Sequence, residues 1–184
     1  MKLIALLRAI NVGGRVVKMD QLRSIVAAEG FSQVETFIAS GNVIVEGRAS
    51  QAAKTELAIE RALARVLGYG VTAFVRTDDE ISDVSAHEPF DAAHVARAAT
   101  FCVAFLKDQP DDQQVGRLMD LRSDAHDFHV RGREIFWLSR LNQSDPLFAK
   151  VQLERIVGGP ATVRGISTVR KLAAKYPVTP KGKK

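Results

Sequence analysis

Apolar residues occupy both faces of residues 2–7: Leu3, Ala5 and Leu7 on one, Ile4 and Leu6 on the other. That pattern predicts a central strand covered on both sides. Residues 8–18 read as a loop holding Gly13 and Gly14. Leu22, Ile25 and Val26 then fall at helical spacing, with Gly30 as the C-cap. Residues 34–39 and 43–46 read as strands joined by the turn Ser40-Gly41-Asn42. The stripe Ile59, Ala62, Leu63, Val66 and Leu67 predicts a core-facing helix from about Gln51, ended by Gly68. Residues 71–76 are a fourth strand.

The second half follows the same order. Thr77 and Glu80 fit a capping box opening a linking helix that Pro89 stops, and residues 90–98 are ambiguous. Residues 100–106 are a strand apolar on both faces. Asp111 or Asp112 opens a short helix with Val115, Leu118 and Met119. Residues 127–131 and 134–138 pair as a hairpin across Gly132. One helix with Pro146 at its first position carries Leu147, Val151, Leu153 and Ile156, and Gly158-Gly159-Pro160 ends it. Residues 161–164 are a short strand. A last helix carries Val169, Leu172, Ala173 and Tyr176, with Ser167 or Thr168 as its N-cap.

The expected class is therefore α+β: two ferredoxin-like βαββαβ halves with antiparallel sheets and extra linking and C-terminal helices. The expected division is 1–76, a linking segment 77–99, a second half 100–176 and a basic tail 177–184. The order of elements repeats, without a clear residue-level repeat. Strands apolar on both faces leave a second sheet face to be covered by the other half, by extra helices, or by a second copy of the chain in a homodimer.

Charge and cysteine content change this picture little. The net charge is +5, but Lys181, Lys183 and Lys184 in the tail supply three of those charges. Three lysines neutralise too few phosphates for tight nucleic-acid binding. Cys102 is the one cysteine, so no internal disulfide framework exists, and no apolar run reaches membrane-spanning length. The expected location is the cytoplasm, with no membrane partner.

Three stretches carry a family resemblance: Ala5-Leu6-Leu7-Arg8-Ala9-Ile10-Asn11-Val12-Gly13-Gly14, Ile38-Ala39-Ser40-Gly41-Asn42-Val43, and Ala161-Thr162-Val163-Arg164 running on to Thr168-Val169-Arg170-Lys171-Leu172. Together they resemble the bacterial family designated domain of unknown function 1697. The resemblance implies two related ferredoxin-like halves and no particular activity. The family usually has Gly where Ala9 stands, and Asn-Trp where Gly165-Ile166 follows Arg164. A family site built on that Asn and Trp would be altered here.

The first candidate site is the strand–helix loop with Arg8, Asn11, Gly13, Gly14, Arg15 and Lys18. Glycines let backbone N–H groups turn toward a ligand, a helix N-terminus favours an anion, and Arg8 can hold a carboxylate or phosphate through two parallel hydrogen bonds. The loop matches neither the P-loop nor the dinucleotide-binding fingerprint, and a tight β–α turn needing positive φ explains the glycines equally well. Ser40 and Asn42 form a second candidate, which also reads as an ordinary hairpin turn. Arg164, Thr168 and Lys171 form a third, at a strand-end to helix-start junction.

Other chemistry is weakly supported. Cys102 reads as a buried, inert thiol. His126 and His129 fall on opposite faces of a strand, which does not suit one metal ion. Asp78, Asp79, Glu80 and Asp83 read as helix N-terminal charge rather than an acid/base pair. No cofactor or metal is called for, and whether the chain is an enzyme stays open.

Three function classes remain. The pattern favours binding of a small anionic or phosphorylated ligand at the Gly13-Gly14 loop. The second class is an assembly module using an apolar sheet face. The third is a salt-dependent nucleic-acid binder, without the stacking mode of RNA-recognition sheets, because residues 3–7 and 43–45 contain no aromatic.

Overall fold

The computed structural model describes residues 1–8, 10–11, 16–38, 41–149 and 151–178. Gly13, Gly14, Arg15 and Ser40 of the candidate sites lie outside these. The chain divides into two units, one comprising Met1–Ser85 with Arg170–Lys184, the other Ala86–Val169.

In the first unit, β1 (Lys2–Arg8), α1 (Met19–Ala27), β2 (Glu35–Phe37), β3 (Asn42–Glu46), α2 (Ala52–Leu67) and β4 (Thr72–Thr77) form an antiparallel sheet of order β2-β3-β1-β4 with two helices. That is the ferredoxin-like arrangement. The helices meet the sheet through Leu3, Ala5, Leu7, Val43, Val45, Ala73 and Val75, which share one core with Leu22, Val26, Ile59 and Leu63. The alternate residues Ile4, Leu6, Ile44 and Phe74 are fully buried too. Both faces of β1 are therefore removed from water, as its unbroken apolar run predicts.

The second unit repeats the order. Its β5 (Thr100–Leu106), β6 (His126–Arg131), β7 (Glu134–Ser139) and β8 (Ala161–Gly165) form a sheet of order β6-β7-β5-β8. Between them run α5 (Asp112–Met119) and the pair α6 (Pro146–Ala149) and α7 (Leu153–Val157). Here the sequence pattern predicts one helix. Gln152 adopts a left-handed backbone, φ 47°, and divides it in two. The linking segment forms α3 (Asp78–Ala86), and the ambiguous stretch after it folds as α4 (Ala92–Ala96).

The helix starts follow local polar chemistry. Glu80 N–H donates to Thr77 Oγ1 (3.1 Å), and Glu80 Oε2 accepts from Thr77 N–H (2.8 Å), the reciprocal box expected for α3. Asp111 and Gln114 do the same for α5. The last helix, α8 (Ile166–Lys175), starts directly after β8, so Ser167 and Thr168 sit inside its first turn and neither is the N-cap. At its far end the Tyr176 hydroxyl donates to Glu35 Oε2 (3.0 Å), and its ring meets Phe37 edge-on. The C-terminal segment thereby covers β2, a three-residue edge strand. Gly30 is left-handed (φ 85°) but follows the helix end; the C-cap of α1 is Ala28.

Edge strands β4 and β8 are protected by a shared device. Glu60 and Glu56 of α2 accept the N–H groups of Ala73 (2.9 Å) and Val75 (2.8 Å), and Glu154 of α7 accepts that of Ala161 (2.9 Å). Carboxylates on these outward donors block a further strand from pairing there.

Strand register exposes a residue-level repeat that the linear sequence conceals. Ala5 pairs with Val75 and Ile4 with Arg76; Ala104 pairs with Val163 and Val103 with Arg164. Superposing the pairs aligns Ala73-Phe74-Val75-Arg76-Thr77 with Ala161-Thr162-Val163-Arg164-Gly165. The likeness reaches the hydrogen bonding. Arg76 donates to the Val75 carbonyl (3.0 Å), as Arg164 does to the Val163 carbonyl (2.9 Å).

Cys102 is fully buried in β5, and its thiol lies 3.7 Å from the Trp137 carbonyl. Burial pushes the thiol pKa up to about 12, so at pH 8 only about one part in ten thousand is thiolate. The native protein should resist a thiol-specific disulfide reagent at pH 8 and react stoichiometrically once unfolded in urea. Prompt labelling of the native chain would overturn this placement.

Candidate ligand site at the end of the first sheet

Sheet order decides which candidate residues meet. Because β3 lies beside β1, the β2–β3 turn adjoins the loop leaving β1. Leu7 N–H donates to the Gly41 carbonyl at 2.8 Å. Gly41 has φ +75°, and a Cβ there would lie 2.5 Å from Ile10 Cγ2 and 3.2 Å from Leu7 Cβ. Only glycine satisfies both the backbone and the contact. Two of the three candidate segments thus converge at one end of the first sheet, although 30-odd residues separate them.

The loop after β1 is tied at both ends. Ile10 and Val17 belong to the helix-side core. Asn11 Oδ1 accepts the Val17 N–H at 2.7 Å, and the Tyr69 hydroxyl donates to the Ile10 carbonyl at 3.3 Å. Asn42, fully buried, donates its amide to the Phe37 carbonyl (2.8 Å) and closes the neighbouring turn. Both asparagines therefore hold the backbone in shape. Lys18 is exposed at the N-cap position of α1 and offers no capping side chain. Arg8, at the end of β1, is half-buried.

Two apolar side chains face water here. Val16 is 80% exposed and Ile38 is 48% exposed. Ile38 also has φ +51°, a left-handed conformation that a β-branched residue rarely adopts. Strain of this kind costs of order 1–3 kcal/mol and gathers at functional loops. Neither residue carries a sequence signal that marks it as part of a site, since single exposed apolar residues are common.

The third candidate cluster is arranged differently. Arg164 is only 7% exposed and donates to Thr162 Oγ1 (2.8 Å) as well as to the Val163 carbonyl. Burial lowers its pKa to about 10, which still leaves it charged at neutral pH. Thr168 is half-buried in the first turn of α8, and Lys171 is exposed further along. Arg164 is thus bonded to its own strand instead of to solvent beside Lys171.

His126 and His129 do point to opposite faces of β6, opposite Ser139 and Phe136 respectively. The His129 ring lies 5.0 Å from that of His87, tilted by 42°, and the His87 ring meets Phe136 at 4.9 Å. His87 Nε2 is buried without a hydrogen-bond partner. Among the described residues, no group of three His, Cys, Asp or Glu side chains is disposed to hold a metal ion.

Comparison with known proteins bears on the family and the fold. A family model described as "Protein of unknown function (DUF1697)" matches residues 1–136. That span contains the first two motif stretches; the third, from Ala161, lies beyond it. The chain is similar to a solved conserved bacterial protein from Streptococcus pneumoniae, with 21% identity, a TM-score of 0.70, and coverage of 95% of this chain and 97% of that one. This likeness supports the shared fold. None of the curated proteins matches the chain. No helix among the described residues is long and apolar enough to cross a membrane.

Two expectations follow. Gly41→Ala should cost about 2 kcal/mol of stability, from φ strain and the Ile10 clash together; an unchanged urea midpoint would refute the turn geometry. The second concerns pH. Burial first, then Arg131 and His129, hold the His87 pKa below its ordinary 6.5, and burial also lowers that of His126. Below about 6.5 the unfolded chain takes up protons that the folded chain resists. The stabilisation is full above that value and is lost as pH falls through the lowered folded pKa values. The urea midpoint should therefore drop between about pH 7 and pH 5, and drop less in His87→Phe; an equal drop in the variant would remove His87 from the account.

Proposed function

The chain belongs to the DUF1697 family of proteins of unknown function, and from that premise we propose that it binds a small anionic or phosphorylated ligand at the end of the first sheet, in the cytoplasm. The supporting observation is the meeting of two motif-bearing segments, the loop after β1 and the Gly41 turn, beside the start of α1. Lys18, the N-cap residue of α1, makes no side-chain cap, and a helix N-terminus favours an anion. Arg8 and Lys18 supply positive charge at either end of the loop. Val16 and Ile38 offer an apolar flank for the organic part of the ligand.

In this reading Arg8 and the α1 N-terminus hold the anion. Asn11, Asn42 and Gly41 set the loop shape. Arg164, Thr168 and Lys171 play no part in this site. The buried single cysteine accords with a reducing compartment.

The test is thermal unfolding against phosphorylated metabolites, nucleotides, carboxylates and short nucleic acids, on wild type, Arg8→Ala and Lys18→Ala. A ligand at 100 times its dissociation constant adds about 2.7 kcal/mol, a shift that should shrink in both variants. A shift with nucleic acid alone would replace the small ligand by a polyanion. No shift with any class, or a shift equal in all three proteins, would remove the proposal.

A further inference from the structure

A separate cleft lies in the second unit, where α4, the α5–β6 connection, the start of β6 and the end of β7 come together. Its volume is about 220 Å³, and His94, Arg97, Arg122, His126 and Arg140 are among its lining residues. The surrounding backbone is firmly tied: Ser123 N–H donates to the His126 carbonyl and Arg140 N–H to the Ala125 carbonyl, each at 2.9 Å, and Ala99 N–H to the Ser139 carbonyl at 2.9 Å.

The charges are only partly neutralised. Arg122 Nε is paired with Asp127 (2.5 Å). Arg97 uses Nε on the Ala93 carbonyl (3.2 Å). Neither Arg97 nor Arg140 has a carboxylate partner among the described residues. Asp124 is the remaining acidic residue of the lining.

Each histidine is held through Nδ1, leaving Nε2 as its other ring nitrogen. His94 Nδ1 lies 2.6 Å from Asp91 Oδ2. His126 Nδ1 accepts the Trp137 indole N–H at 3.2 Å. An accepting Nδ1 carries no proton, so neutral His126 bears its proton on Nε2 and is a donor there. Trp137 is in turn stacked on Phe148 with centroids 3.9 Å apart, which fixes the indole and with it the His126 ring.

We propose that this cleft is a binding site for a small phosphate monoester, with Arg97 and Arg140 gripping the phosphate and His126 donating to it from Nε2. Guanidinium forks match the planar oxygen pairs of phosphate. A volume of about 220 Å³ suits a phosphate on a short carbon chain. The site is independent of the one at the first sheet.

Trp137 is the single tryptophan, and its indole N–H donates to His126 of the cleft, so its one indole resonance reports on a change at that ring. Inorganic phosphate and a three-carbon phosphate monoester would be titrated into the full-length ¹⁵N-labelled chain, with acetate as the carboxylate comparison. The expected result is a saturable shift of the indole resonance with both phosphates. Arg97→Gln and Arg140→Gln should each weaken binding roughly tenfold, the size of one lost charge-assisted hydrogen bond. Both arginines are exposed, and the melting temperature of each variant checks that it remains folded. An indole resonance that does not move, that moves equally with acetate, or that titrates in both variants as in wild type would overturn the proposal.

Discussion

Burial of β1 and β5 on both faces is the constraint from which the rest of this structure follows. A strand with water on neither face has no polar side of its own, so its backbone groups must be met by neighbouring strands and its side chains by apolar partners. That requirement places each central strand between two others and confines polar side chains to strand ends and outer edges. The helix carboxylates of Glu56, Glu60 and Glu154 answer the same demand one strand further out, where β4 and β8 would otherwise present bare N–H groups.

The exceptions are Arg76 and Arg164, charged residues at equivalent positions in β4 and β8, both almost wholly buried. Taking a guanidinium out of water is costly unless its donors are met, and each donates back to the carbonyl of the valine before it. The two halves therefore share a particular way of accommodating a buried cation, in addition to a shared order of elements. The intervening helices differ in length and capping.

Where the two units differ is at their ends. The first sheet ends in a loop tied by Asn11 and pressed against a glycine turn, with Val16 and Ile38 exposed. The second ends in a cleft of arginines and histidines braced by an aromatic stack. Chemistry has room at these ends because the two-sided burial of the central strands excludes it elsewhere. Cys102, in the middle of β5, illustrates the converse, for burial raises its thiol pKa until it is inert.

By itself the sequence determined most of the strand and helix order, the α+β class, the boundaries of β5 and the capping box of α3. These depend on neighbours a few residues apart, through apolar periodicity and side-chain-to-backbone hydrogen bonds. It pointed correctly to the burial of Cys102 and to the opposed His126 and His129. Only the tertiary structure decided that the Gly41 turn abuts the β1 loop, that Arg164 is bonded to its own strand, and that Gln152 divides a helix. It alone brought His94, Arg97, His126 and Arg140 to one cleft, and it alone aligned Arg76 with Arg164. Each of these depends on which strands pair and in what register. Register is set by the burial of whole sheet faces, which no local run of residues encodes.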